Sequence, residues 1–196
     1  HAVTHIMHMQ GRFKEGVSFI DSLKANWLEA NNFVNHMHWH QALHYIGLGQ
    51  SGQALRIYDE SLTDPIKDDF YLDVCNSASL LWRLVMLGVD VGHRWHHLHE
   101  ISSRRVEDDE LIFSTLHYLM APAVLGDENA IKRCLSNIEK WSDRPEAQSL
   151  VCRNVGMILA DVICQLSRGE SETAARQMAS IQSQIFQIGG SHAQRH

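Results

Sequence analysis

The chain has 196 residues, 44% of them hydrophobic, and a formal net charge of −6. That balance is globular rather than disordered, and its acidity argues against a nucleic-acid surface, which would be basic. Cys75, Cys134, Cys152 and Cys164 form no CxxC pair and read as reduced, buried thiols of a cytoplasmic protein. The most apolar stretch, Val155 to Leu166, is interrupted by Asp161 and too short for a membrane span.

Glycines at 11, 49, 88, 126 and 169 recur at spacings of 38, 39, 38 and 43 residues, each between two apolar, helix-like runs. A period of that size is the signature of stacked helical hairpins. Taking each glycine as the turn between an A and a B helix predicts five pairs in chain order. They are 1–10 with 12–27, 33–48 with 51–63, 73–87 with 91–105, 109–125 with 127–141, and 147–167 with 170–187. Breaks carry turn chemistry at Asn31-Asn32, Asp64-Pro65, Asp108-Asp109, Arg144-Pro145 and Gly189-Gly190. Pro122, inside 109–125, predicts a kink there. The expected fold is all-α, a tetratricopeptide-like solenoid of about five antiparallel helical hairpins. It forms one helical-repeat domain over 1–196. The chain starts inside a helical pattern and stops just after a glycine turn, as a fragment truncated at both ends would.

The A helices are apolar nearly all round, whereas the B helices are amphipathic. The expected core includes Trp39, Leu43, Leu81, Trp82 and Leu116, with Arg56, Lys67, Glu107 and Lys132 exposed. Polar residues recur inside the A helices: His36, His40 and His44 at four-residue spacing, Asn76, Ser79 and Arg83, Ser114 and His117, and Asn154 with Asp161. Counted back from each turn glycine, His1/His5, His40/His44, Ser79/Arg83, His117 and Asp161 fall in one row along a concave groove. Such a row reads as hydrogen bonds that keep neighbouring helices in register, as a groove for a peptide or small anion held by Arg83, or as a catalytic site. Arg83 is expected to meet a carboxylate, Asp73 first, or another member of the row. His36, His40 and His44 offer two convergent ligands on one helix, and HxHxH lacks the glutamate of HExxH, so no metal or other cofactor is assigned. His93, His96, His97 and His99 read as a solvated face. At the C-terminus, Gly189-Gly190-Ser191-His192 reads as a turn and a new helix start, with Arg195 close to a possible anion.

The stretches HAVTHIMHMQGRFKEG (1–16), HMHWHQAL (36–43), SASLLWRLVMLGVDVGHRW (77–95) and GGSHAQRH (189–196) resemble the tetratricopeptide repeat protein 38 family. The resemblance covers essentially the whole chain and implies the C-terminal half of a helical repeat protein. It also implies recurring polar positions at His1, His5, His40, Asp73, Arg83, Arg94, His117, His192 and Arg195. The family string usually ends GGSHAQRD; His196 departs from it, and the repeat spacing drifts from 34 residues.

Two functions fit these residues. One is a non-catalytic scaffold that binds a peptide or protein in its groove. The other is a small-molecule binder or enzyme with a histidine- and arginine-lined site, in which a small anionic ligand meets Arg83 or Arg195. No nucleophile elbow, phosphate loop or carboxylate pair favours the enzyme. The scaffold is the expected function, with neither nucleic acid nor membrane as partner. A shared site predicts that the imidazoles of His5, His40, His117 and His192 approach one another.

Overall fold

A computed structural model describes residues 1–31 and 33–195, so the expectations attached to Asn32 and His196 lie outside the described residues. Helices account for nearly all ordered backbone, and no strand occurs among the described residues. In chain order they are α1 (Ala2–Met9), α2 (Phe13–Ser22), α3 (Lys24–Trp27), α4 (Phe33–Gly47), α5 (Ser51–Ile57), α6 (Tyr71–Met86) and α7 (Arg94–Arg105). They continue as α8 (Ile112–Leu125), α9 (Glu128–Ser142), α10 (Ala147–Val151), α11 (Met157–Ser167), α12 (Ser171–Ile181) and α13 (His192–Arg195).

The periodic glycines end α1, α4, α6, α8 and α11 in the left-handed region, at φ of 69°, 71°, 75°, 69° and 79°. A Cβ would meet nothing within 4 Å at any of the five, so backbone conformation rather than space dictates glycine. Each end repeats one pattern. Gly49 N–H donates to Ile46 O and Gln50 N–H to Tyr45 O, both at 2.9 Å, which pairs carbonyls the helix leaves orphaned. Across the next turn, Asp127 caps α9 by accepting from Ala130 N–H at 3.0 Å.

Two π-helical segments were not legible in the sequence. Tyr58–Leu62 prolongs α5, and Cys152–Gly156 joins α10 to α11. Gly156 lets this second segment approach α8, because a Cβ there would meet Ile112 Cγ1 at 2.7 Å. α8 runs through Pro122 to Leu125 as one helix. Joined through its π segment, Ala147–Ser167 forms 21 continuous helical residues, longer than the apolar stretch judged too short in the sequence. It is long and apolar enough to cross a membrane by length and composition, and half of its apolar window is buried inside the fold.

The described residues form two compact units: His1–Arg94 with His192–Gln194, and Trp95–Ser191 with Arg195. In the first, α1 packs on α2, α2 on α4, α4 on α5, and α4 on α6. In the second, α8 packs on α9 and α11, and α11 on α12. Trp39, Leu43, Leu81 and Leu116 are buried as expected, and Arg56, Lys67, Glu107 and Lys132 are exposed. Trp82 departs from expectation: it is only half-buried, at a helix position flanking the packed face of α6. The deepest aromatic positions are Trp39, Trp141, Tyr58 and Tyr118.

Candidate metal centre

Four-residue spacing places two side chains one turn apart on the same helix face. This chain uses the spacing twice in the first unit. His36 and His40 point from α4, while His1 and His5 point from the start of α1, where His1 O accepts the first helical hydrogen bond from Thr4 N–H. The packing of α1 on α4 turns the two pairs toward each other. His1 Nε2 lies 2.9 Å from His5 Nε2, 3.0 Å from His36 Nε2 and 3.1 Å from His40 Nε2. His36 and His40 Nε2 are 3.1 Å apart. All four ligand atoms fall within 4.8 Å of one another.

These separations are not a hydrogen-bond network. A neutral imidazole nitrogen carries either one proton or one lone pair. His1 Nε2 can therefore satisfy only one of its three neighbours, and at most two of the four short separations can be hydrogen bonds. Protonation does not rescue the arrangement. Burial brings His36 down to about 4 and also lowers His5 and His40, the last reinforced by the neighbouring imidazoles. Burial thus favours the neutral form of three of the rings, and all four Nε2 atoms converge on one point. A tetrahedral ion with metal–nitrogen bonds of about 2.0–2.1 Å needs ligand atoms about 3.3 Å apart. The quartet is close to that size.

Aromatic packing fixes the rings. Trp39 stacks on His36 with centroids 5.3 Å apart and meets His40 edge-on at 4.9 Å, while Phe33 meets His1 edge-on at 4.9 Å. One turn further along α4, His44 is fully buried, and its Nε2 lies 2.8 Å from Thr4 Oγ1. Gly16 makes room for it, since a Cβ there would meet the His44 ring at 2.3–2.5 Å. Gly47 does the same for the Phe13 ring at 2.5 Å, so α2 lies close on α4 behind the quartet.

The remaining predicted site residues are distributed as follows. Asp73 is buried, and its Oδ2 accepts from Asn35 Nδ2 at 3.1 Å. Ser79 Oγ accepts from Trp39 Nε1 at 3.0 Å. Both bonds tie α4 to α6 in register, the structural role considered for the polar row. Arg83 does not meet Asp73: it donates to Ser79 O at 3.0 Å and Ala193 O at 2.6 Å, with its guanidinium 5.8 Å from the Trp39 ring. Asp73 is out of its reach: it sits ten residues earlier on the same helix, about 15 Å along the axis, where it accepts from Asn35. Burial brings Arg83 down to about 10. Arg94 stands apart, paired with Asp59 through bonds of 2.7 and 2.6 Å.

His192 belongs to the first unit and is exposed. His117 belongs to the second, where its Nδ1 lies 2.7 Å from Phe113 O. Of the four imidazoles expected to share a site, His5 and His40 meet, with centroids 4.3 Å apart. Their company is His1 and His36, not the full predicted set. Arg195 holds the carbonyls of Gly189 and Gly190. That turn needs its second glycine, because a Cβ at Gly190 would meet the Phe113 ring at 2.7 Å. Asp161 is exposed beside a groove of about 780 Å³ between α9 and α11, together with Met157, Lys132 and Arg168. In the B-helix histidine group, His99 is not simply solvated: its Nε2 donates to Asp127 Oδ2 at 2.9 Å.

The second pair of ligands is invisible along one helix, where His36, His40 and His44 offer only two convergent nitrogens and assign no metal. The available signal was the second HxxxH pair, His1 and His5, at the same turn register as His40. No family model matches the chain, and no solved structure matches it.

Proposed function

We propose that this protein binds one transition-metal ion, Zn²⁺ in the first instance, through His1, His5, His36 and His40. The observation that carries the reading is the convergence of four Nε2 atoms within 4.8 Å of one another, more short separations than hydrogen bonds among them can satisfy. An all-imidazole set suits Zn²⁺, Cu²⁺, Ni²⁺ and Fe²⁺ and discriminates against Mg²⁺ and Ca²⁺, which take oxygen ligands. Four protein ligands fill a tetrahedral shell, as in metal sites that hold structure, whereas hydrolytic sites keep a position for water. The centre therefore supports a non-enzymatic role: a tetratricopeptide-like helical repeat protein, of the kind its resemblance suggests, whose first helices are organised by a metal.

Peptide or protein binding is the second reading, and the groove between α9 and α11 favours it. Its lining combines Ile131, Leu135 and Met157 with charges of both signs. Four buried cysteines outside any disulfide accord with a cytoplasmic setting.

The test is a titration of the metal-depleted chain with Co²⁺, followed by competition with Zn²⁺. One equivalent should give the intense visible absorption of tetrahedral Co²⁺, and His40→Ala and His5→Ala should each abolish it. Uptake no stronger in the parent than in these variants would overturn the proposal.

A further inference from the structure

A metal on Nε2 fixes the other proton of the imidazole on Nδ1, and that N–H normally donates to an acceptor that orients the ring. In this structure His36 Nδ1 is buried with no hydrogen-bond partner. On α6, which packs against α4, the same is true of both amide atoms of Asn76 and of Asp73 Oδ1. An unpaired buried polar atom is costly, and here four of them occur on three neighbouring side chains. Their placement is ordered. Asn35 bonds Asp73 at 3.1 Å and Trp39 bonds Ser79 at 3.0 Å, so the α4–α6 ladder is fixed on either side of His36 and Asn76. Asn76 stands between these two bonds on α6, as His36 does on α4. Asp73 and Asn76 are three residues apart on one helix and share a face.

We infer that Asn76 and Asp73 form the outer shell of the metal centre, as a hydrogen-bonded relay that starts at His36. In the loaded protein, His36 Nδ1–H donates to Asn76 Oδ1, and Asn76 Nδ2–H donates to Asp73 Oδ1. Asp73 Oδ2 keeps the bond from Asn35 that is already present. The relay pairs all four orphaned atoms. It also places a buried carboxylate in line with the ion, whose double positive charge four neutral imidazoles leave uncompensated. Asn76 and Asp73 are positioning residues: neither touches the metal, and each acts through His36.

This inference rests on the four-histidine reading, and its test separates the two. Co²⁺ affinity is measured by visible titration for the full chain, for Asn76→Ala and for Asp73→Asn. The parent should bind one equivalent. Asn76→Ala should bind roughly 10–100-fold more weakly, the range for lost outer-shell partners, with the shape of the Co²⁺ spectrum unchanged because the four ligands remain. Asp73→Asn keeps the side-chain shape and should also weaken binding. In the Zn²⁺-loaded parent, nitrogen-15 NMR should show a slowly exchanging His36 Nδ1–H signal that Asn76→Ala removes. Parent binding accompanied by unchanged affinity in both variants would overturn the relay and leave the metal centre standing. A variant that lowers the melting temperature of the metal-free protein without weakening Co²⁺ binding would also overturn it, since that is the mark of a packing role. A parent that takes up no Co²⁺ overturns the metal reading and the relay with it.

Discussion

His44 illustrates how little freedom single residues have beneath the quartet. Its ring is fully buried, its Nε2 is held beside Thr4 Oγ1, and it occupies the space a side chain at position 16 would need. Gly16→Ala should therefore destabilise the protein by about 1–3 kcal/mol, the usual cost of overpacking a filled site, read from the urea midpoint. A midpoint equal to the parent's would show that the ring can shift at no cost. Arg83 makes a different point. Its partners are carbonyls rather than a carboxylate, so the half-buried cation is solvated by backbone dipoles. The expected partner was a carboxylate, Asp73 first, or another member of the polar row; Ser79 of that row does meet Arg83, through its main-chain carbonyl, an acceptor a sequence hides.

Among the elements, α1 is the one the proposed metal centre would hold most directly, through His1 and His5. Of its residues only Thr4 is buried, while Val3, Ile6 and Met9 are 44%, 52% and 60% exposed. Apolar burial thus contributes little to holding α1 on α4, and an eight-residue helix is marginal by itself. Hydrogen exchange should show α1 amides nearly unprotected in metal-free protein and clearly protected after Zn²⁺ is added. Equal protection in both states would mean that α1 docks without the ion.

A second element, α9, owes its start to Asp127, whose carboxylate accepts from Ala130 N–H and His99. These bonds hold the Asp127 carboxyl below its ordinary range, the Ala130 bond contributing most. A depressed carboxyl stabilises the fold above its ordinary pKa, and that contribution is lost as pH falls through the folded value. Asp127→Ala should thus cost about 1 kcal/mol near neutrality. The gap from the parent should close as the pH drops below about 4. A gap independent of pH down to acid unfolding would refute the cap.

On the scale of the whole chain, the two units respond differently to a ligand that contacts only one. Ion binding at 100 times its Kd should stabilise the fold that holds the quartet by about 2.7 kcal/mol. The protection gained should fall within His1–Arg94, while amides of α9 and α11 in the other unit exchange at unchanged rates. A Zn²⁺-induced slowing spread evenly over both units would contradict a centre confined to the first.

Much of the architecture was written in the sequence because it is a local property. A left-handed residue that ends a helix favours glycine, so Gly11, Gly49, Gly88, Gly126 and Gly169 announced the helix ends within a few residues. Apolar faces likewise announced Trp39, Leu43 and Leu81 as core. The π segments at Tyr58–Leu62 and Cys152–Gly156 stayed hidden, since a widened turn changes hydrogen-bond register without changing residue type. Trp82 stayed hidden as well: its helix is apolar on several sides, and only the neighbours determine which side is covered.

For the site, the sequence by itself determined that His36 and His40 share one face and that His1 and His5 share another, because helical pitch sets those angles. Only the tertiary structure decided that the two faces meet. That decision depends on Gly16 and Gly47 admitting α2 close to α4 and on α1 packing beside both. Ligand convergence across 39 residues is a property of packing, which no local spacing encodes.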